Sequence, residues 1–84
     1  GRVVIESLPY ALLVERAVPD AGVADRVSMY RARGMPVYAL LQTDGTARLF
    51  AGAFKAQEEA ALLAEMLRSA GVRATIAFRT GRVY

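Results

Sequence analysis

Few side chains in this sequence could do chemistry, and the missing types narrow it further. The 84 residues contain no Cys, His, Trp or Asn. The usual zinc ligand sets and the Ser-His and Cys-His dyads are therefore excluded. No disulfide framework exists either, although a cysteine-free chain tolerates an oxidising compartment. What remains can bind rather than react. Tyr38 and Phe50 are rings that can stack, Arg48 and Arg79 are planar hydrogen-bonding forks, Gln42 is an amide and Leu13 an apolar contact. Such a set suits a sugar: a ring takes the apolar side of a pyranose, while amides and guanidinium groups bind its hydroxyls. Arginine can also grip a carboxylate. The adjacent carboxylates Glu58 and Glu59 open a helix, where they complement its dipole. Met29, Met35 and Met66 read as gap-fillers in the core. No metal, no cofactor and no enzymatic activity are expected.

Length and composition set the frame for these groups. Eighty-four residues make one domain. A domain of this size buries only about 60–65% of its unfolded surface, so its core is thin. A hydrophobic content of 55% argues for a folded chain. The net charge is +3, and ten of the eleven basic residues are Arg, scattered from Arg2 to Arg82 without a block. That is at most a slight bias toward an anionic or polar partner. No apolar run approaches the roughly 18–20 residues of a membrane span, and no basic-then-apolar leader opens the sequence. Gly1-Arg2-Val3 reads as the start of a piece excised from a longer protein, with any signal or anchor outside it.

The residues that must position the site fall into a regular order. "YALLVERA" (10–17) reads as a strand. A helix follows in "VPDAGVADRVSMYRARG" (18–34), begun by Pro19 or Asp20 and ended by Gly34, with Val23, Val27 and Tyr30 on one face. "MPVYALLQ" (35–42) is a second strand. Asp44-Gly45 marks a hairpin, and "ARLFAGAF" (47–54) returns as the third strand. A second helix spans about 56–70, with Ala60, Leu63, Ala64 and Leu67 as its buried stripe and Gly71 beyond it. "VRATIAFR" (72–79) is the fourth strand. A Thr80-Gly81 turn and "RVY" follow. Residues 1–9 read as a linker or an extra edge strand ahead of a domain over 8–84.

Sliding the sequence by 37 residues brings its halves into register: Val23 falls on Ala60, Val27 on Ala64, Tyr30 on Leu67, Gly34 on Gly71. Two β-α-β units joined by a hairpin predict an α+β fold of ferredoxin-like or RNP-like type. It has the order βαββαβ, a four-stranded antiparallel sheet, both helices on one face and two pseudo-symmetric halves. Gly52-Ala53-Phe54 then marks the turn from sheet to helix, with Phe54 tucked beneath the new helix. Strand alternation assigns Tyr10, Leu12, Val14, Val37, Ala39, Leu41, Leu49, Ala51, Ala53, Ala74, Ile76 and Phe78 to the helix side. It assigns Ala11, Leu13, Glu15, Tyr38, Leu40, Gln42, Arg48, Phe50, Gly52, Thr75, Ala77 and Arg79 to the open side. A slip of one residue would exchange the faces. The open side is rich in apolar and aromatic groups, which marks a ligand or partner surface, and Phe50, Tyr38 and Arg48 are expected to project together into solvent.

With this order and these motifs the chain resembles the SPOR (sporulation-related repeat) domain family over roughly residues 8 to 80. The second half carries the likeness, in "RLFAGAF", "KAQEEAALLAEMLRSAG" and "VRATIAF". The first half departs from it. Where the family often has Val-Gln-Val-Gly-Ser-Phe, this chain has Leu12-Leu13-Val14-Glu15-Arg16-Ala17, so Leu13 replaces a sugar-bonding Gln and the Gly and Phe are missing. The resemblance implies a periplasmic or cell-envelope module of a bacterial cell-division or wall-remodelling protein. Its implied partner is peptidoglycan glycan stripped of stem peptides, bound on the sheet's open face by Leu13, Tyr38, Gln42, Arg48, Phe50 and Arg79. A protein-interaction or homo-oligomerisation module using the same face, through Leu13, Leu40 and Phe50, is the alternative. An RRM-like RNA-binding domain stands third: "ARLFAGAF" does not match the RNP-1 run, and nucleic acid is not the expected partner.

Overall fold

The two helices end alike, 37 residues apart. In the computed structural model, which describes residues 8–84, the amide of Gly34 donates to Arg31 and that of Met35 to Tyr30. Gly71 donates likewise to Arg68, and Val72 to Leu67. Both are Schellman closures, with Gly34 and Gly71 in the left-handed region that glycine adopts at little cost. The caps also touch: Arg33 Nη2 donates to the carbonyl of Ala70 at 3.0 Å.

The elements are β1 (Tyr10–Val18), α1 (Asp20–Ala32), β2 (Val37–Leu41), β3 (Ala47–Phe54), a 3-10 turn (Gln57–Ala60), α2 (Ala61–Ser69), β4 (Thr75–Phe78) and β5 (Arg82–Val83). The strands form one antiparallel sheet in the order β4-β1-β3-β2-β5. Among the described residues five strands replace the expected four, because "RVY" does not trail away. Arg82 pairs with Leu41 and Val83 with Leu40, and Tyr84 Oη donates to the Asp20 carboxylate at 2.7 Å. The hairpin turns at Asp44-Gly45 as expected: Gln42 N donates to Thr46 O, and Asp44 Oδ1 accepts from both the amide and the hydroxyl of Thr46. The expectation for residues 1–9 lies outside the described residues up to Ser7. Just ahead of β1, the Pro9 carbonyl accepts from the Arg79 amide at 2.8 Å.

The main core lies between the helices and the sheet. Val23 and Tyr30 of α1 and Leu67 of α2 share it with Leu12, Val37, Leu49 and Ala51. Each such side chain contributes about 1.5–3 kcal/mol by leaving water. Of the methionines only Met35 belongs to this core; Met29 and Met66 are exposed, which corrects their reading as fillers. The α2 entry lacks a capping hydroxyl. Glu59 Oε1 accepts instead from the amides of Ala56, the N-cap, and of Lys55 before it.

Two irregularities re-aim side chains. Gly52 has φ +74 and sits in a bulge of β3, since Leu12 faces Ala51 while Tyr10 faces Phe54. The extra residue turns Phe54 to the helix side. A Cβ at Gly52 would stand 2.5 Å from the Phe54 ring and 2.8 Å from Leu63, so glycine is required by that close approach. In β1 an extra residue lies between Leu13, which faces Phe50, and Glu15, which faces Leu49. Glu15 therefore crosses to the helix side, where Arg26 and Tyr30 donate to its carboxylate. That overturns its expected place on the open face. Ile76 and Phe78 do lie on the helix side, opposite Leu12 and Tyr10. They are not buried as expected, however, but 43% and 60% exposed.

Candidate functional site

Alternation along β1, β2 and β3 brings Ala11, Leu13, Leu40 and Phe50 together on the face away from the helices, with Tyr38 and Ala77 packed beside them. The expected membership of this face holds for these residues. Its expected openness does not. Phe50 is 0% exposed, Leu40 3% and Leu13 6%, so Phe50 and Leu13 cannot present a stacking surface. The face is a second, smaller core.

The chain's own segment from Arg79 to Val83 covers this core. It leaves β4 at one edge, runs across the face and joins β2 at the other. Thr80 is held there from both sides: its carbonyl accepts from Gln42 Nε2 at 2.9 Å, and its hydroxyl donates to Gln42 Oε1 at 3.1 Å. Arg48 Nη1 donates to the same hydroxyl at 3.3 Å. Gly81 follows with φ +114, where a Cβ would meet Gln42 Nε2 and the Leu41 carbonyl, each at 2.6 Å. Only glycine lets the segment lie this close. The sequence contained the signal in Thr80-Gly81, but the return of the strand beyond it to β2 is a long-range pairing.

Four of the six candidate residues form a polar strip along this covered face. Tyr38, Gln42, Arg48 and Arg79 are each partly exposed. The Tyr38 ring stacks on Phe50 with centroids 6.1 Å apart, and its hydroxyl donates to the Gly52 carbonyl at 2.6 Å. The Arg79 guanidinium also lies over that ring, 5.7 Å from its centre, and Nη1 donates to Leu8 O at 2.9 Å. Arg79 Nε is buried with no partner among the described residues. Burial pushes the Tyr38 phenol up, with Arg79 opposing it, so the hydroxyl stays a neutral donor at pH 7. An open groove of about 530 Å³ adjoins the strip, lined by Leu41, Gln42, Thr43, Gly45, Gly81 and Arg82.

The strip is suited to donating hydrogen bonds and has no nucleophile aligned with a base. Among the described residues no three acidic, His or Cys side chains come together to hold a metal. A close titratable cluster, Glu15-Arg26-Tyr30, lies on the helix side. Burial raises the Glu15 carboxyl, but the hydrogen bonds from Arg26 and Tyr30 outweigh it and hold the group below its ordinary range. This triad fastens α1 to β1. Comparison of the chain with protein-family models, with curated proteins and with solved structures finds no match.

Proposed function

We propose that this chain is a non-catalytic binding module of the SPOR type, on a ferredoxin-like βαββαβ frame with one added strand. Its ligand is a peptidoglycan glycan strand lacking stem peptides, in the bacterial cell envelope. The observation that carries the reading is the strip of Tyr38, Gln42, Arg48 and Arg79 beside the groove at Gly81 and Arg82. Two partly exposed guanidinium forks on one face suit sugar hydroxyls and carboxylates, and the Gln42 amide, bonded to Thr80, holds the segment beside them. The 37-residue repeat, with its paired Schellman caps, supports the family likeness independently of the ligand. Phe50 and Leu13 take a different part from the one expected of them: they are the floor that holds the strip in place. Contacts with each sugar would be few, so retention would rely on many along a polymer.

The test is retention of the 84-residue chain on sacculi treated with an amidase to strip stem peptides. Arg48→Ala with Arg79→Ala should lower retention while circular dichroism stays unchanged. Retention equal to the parent chain would remove the proposed site.

A protein-association reading is favoured by a separate observation, the exposure of Ile76 and Phe78 on the edge strand β4. The RNA reading has less support. Phe50, the ring that β1 and β3 place on the outer face, is fully buried and offers no platform for a base.

A further inference from the structure

We propose that the groove between α1 and the β2 edge binds a small amphipathic carboxylate, whose anionic end is held by Arg31. This site is separate from the glycan strip and does not depend on it. The groove encloses about 390 Å³, within the range of small-ligand sites. Val23 and Val27 of α1 and Ala39 of β2 give it an apolar floor, and Val83 and Tyr84 close its side. The Tyr84 hydroxyl donates to the Asp20 carboxylate at 2.7 Å, which anchors that ring as an end wall. Among the described residues that line the groove, Arg31 is the one charged side chain.

Arg31 is placed to receive an anion. Its Nε donates to the Val37 carbonyl at 3.2 Å, which pins the guanidinium beside the groove. Its two Nη groups have no carboxylate partner among the described residues. A planar fork fixed in this way meets a carboxylate with little further ordering. A second cavity of about 460 Å³, lined by Gly34, Met35 and Pro36, joins the groove at Arg31 and Tyr38, so the fork is reached from two sides. The neighbouring charges are engaged elsewhere or face away. Arg33 donates to the Ala70 carbonyl, and Arg26 pairs with Glu15. Asp20 is taken by Tyr84, and Asp25 lies outside the lining. The Tyr30 and Arg31 carbonyls at the end of α1 already accept from the amides of Met35 and Gly34, so they do not meet the bound anion bare.

The occupant is a small molecule rather than an added strand. β5 already pairs with Leu40 and Leu41, and Arg31 takes the Val37 carbonyl. The ladder groups that an extended peptide would use are therefore engaged at both ends of β2. From Ala24 to Arg31 the groove follows α1 for about 10 Å, at about 1.5 Å per residue. An acyl or aryl body of that length lies along the valines, with its far end at Tyr84 and its carboxylate at Arg31. Apolar burial holds the body, and the single cation sets its direction.

Decanoate below its micellar concentration is the probe, with decyltrimethylammonium as the cation of equal chain length. Amide shifts of the full chain should show saturable decanoate binding centred on Val27, Arg31 and Ala39, and the cation should bind about tenfold more weakly or worse. Arg31→Gln should weaken decanoate about tenfold while circular dichroism stays unchanged. Ala24→Phe, at an exposed position of α1, should fill the groove and weaken both probes. Arg48→Ala, in the glycan strip, should leave decanoate binding as it is, so failure of one site is told apart from failure of the other. Equal binding of the two probes, no saturable binding of decanoate, or full binding by either Arg31→Gln or Ala24→Phe overturns the proposal.

Discussion

Arg79 and Tyr38 lie on opposite sides of the sheet's strand order, yet the guanidinium of one rests over the ring of the other at 5.7 Å. The contact spans β1 and β3, and Phe50 fills the space beneath it. One residue past the end of β4 thus closes a small core that the sheet alone would leave wet.

Phe50→Ala should cost about 3–5 kcal/mol, the range for deleting a buried ring. Thermal unfolding would show a lowered midpoint, and a dye that binds exposed apolar surface should report loosened packing. Arg79→Ala should cost far less, about 0.5–2 kcal/mol, as expected for a cation over a ring. If Phe50→Ala left stability unchanged, the second core would not exist in solution.

Ala17 adopts φ +57, a conformation that costs an L-residue about 1–2 kcal/mol. It stands in the irregular end of β1, where the register shifts between Glu15 and Val18. Ala17→Gly should therefore stabilise the chain, by about 1 kcal/mol after glycine's added freedom in the unfolded state is subtracted. Denaturant titration would measure it, and a loss of stability would contradict the backbone geometry.

Gly52→Ala should destabilise strongly, because its Cβ would meet the Phe54 ring and Leu63. Adding Phe54→Leu should recover part of the loss, while the strain of a positive φ remains. The two effects share one contact, so a double-mutant cycle should show coupling of about 0.5–3 kcal/mol. Additive losses would mean that the ring does not sit over Gly52.

Glu15 titrates below its ordinary value: burial works against the charged form, and Arg26 and Tyr30 more than offset it. Folded and unfolded states then differ in proton binding. The stability this group supplies is fully present above the ordinary carboxylate pKa and is lost as pH falls through the lowered folded value. Glu15→Gln should leave a shallower acid limb in a stability-versus-pH profile. An unchanged limb would show the triad to be energetically silent.

Tyr84 closes the fifth strand onto α1 through Asp20. Tyr84→Phe should lower stability only slightly, because the bond it removes is open to water. Hydrogen exchange would show faster opening at Leu40 and Leu41, whose outer edge β5 covers. Exchange unchanged at those amides would mean that β5 is held without the tyrosine.

Short-range physics wrote much of this fold into the sequence. The helix stripes of Val23, Val27 and Tyr30 and of Ala60, Leu63 and Leu67, the Gly34 and Gly71 caps and the Asp44-Gly45 hairpin each depend on neighbours within a few positions. The strand alternation that joined Leu13, Leu40 and Phe50 on one face did too. Which of those faces stays wet was decided only by tertiary structure. Thr80 reaches Gln42 across 38 positions of sequence, and no local pattern specifies that return. A bulge exists only relative to a partner strand, so the crossing of Glu15 to the helix side was equally hidden. Exposure of Ile76 and Phe78 follows from how far a neighbouring helix extends over them, a property of packing that residue type alone cannot carry.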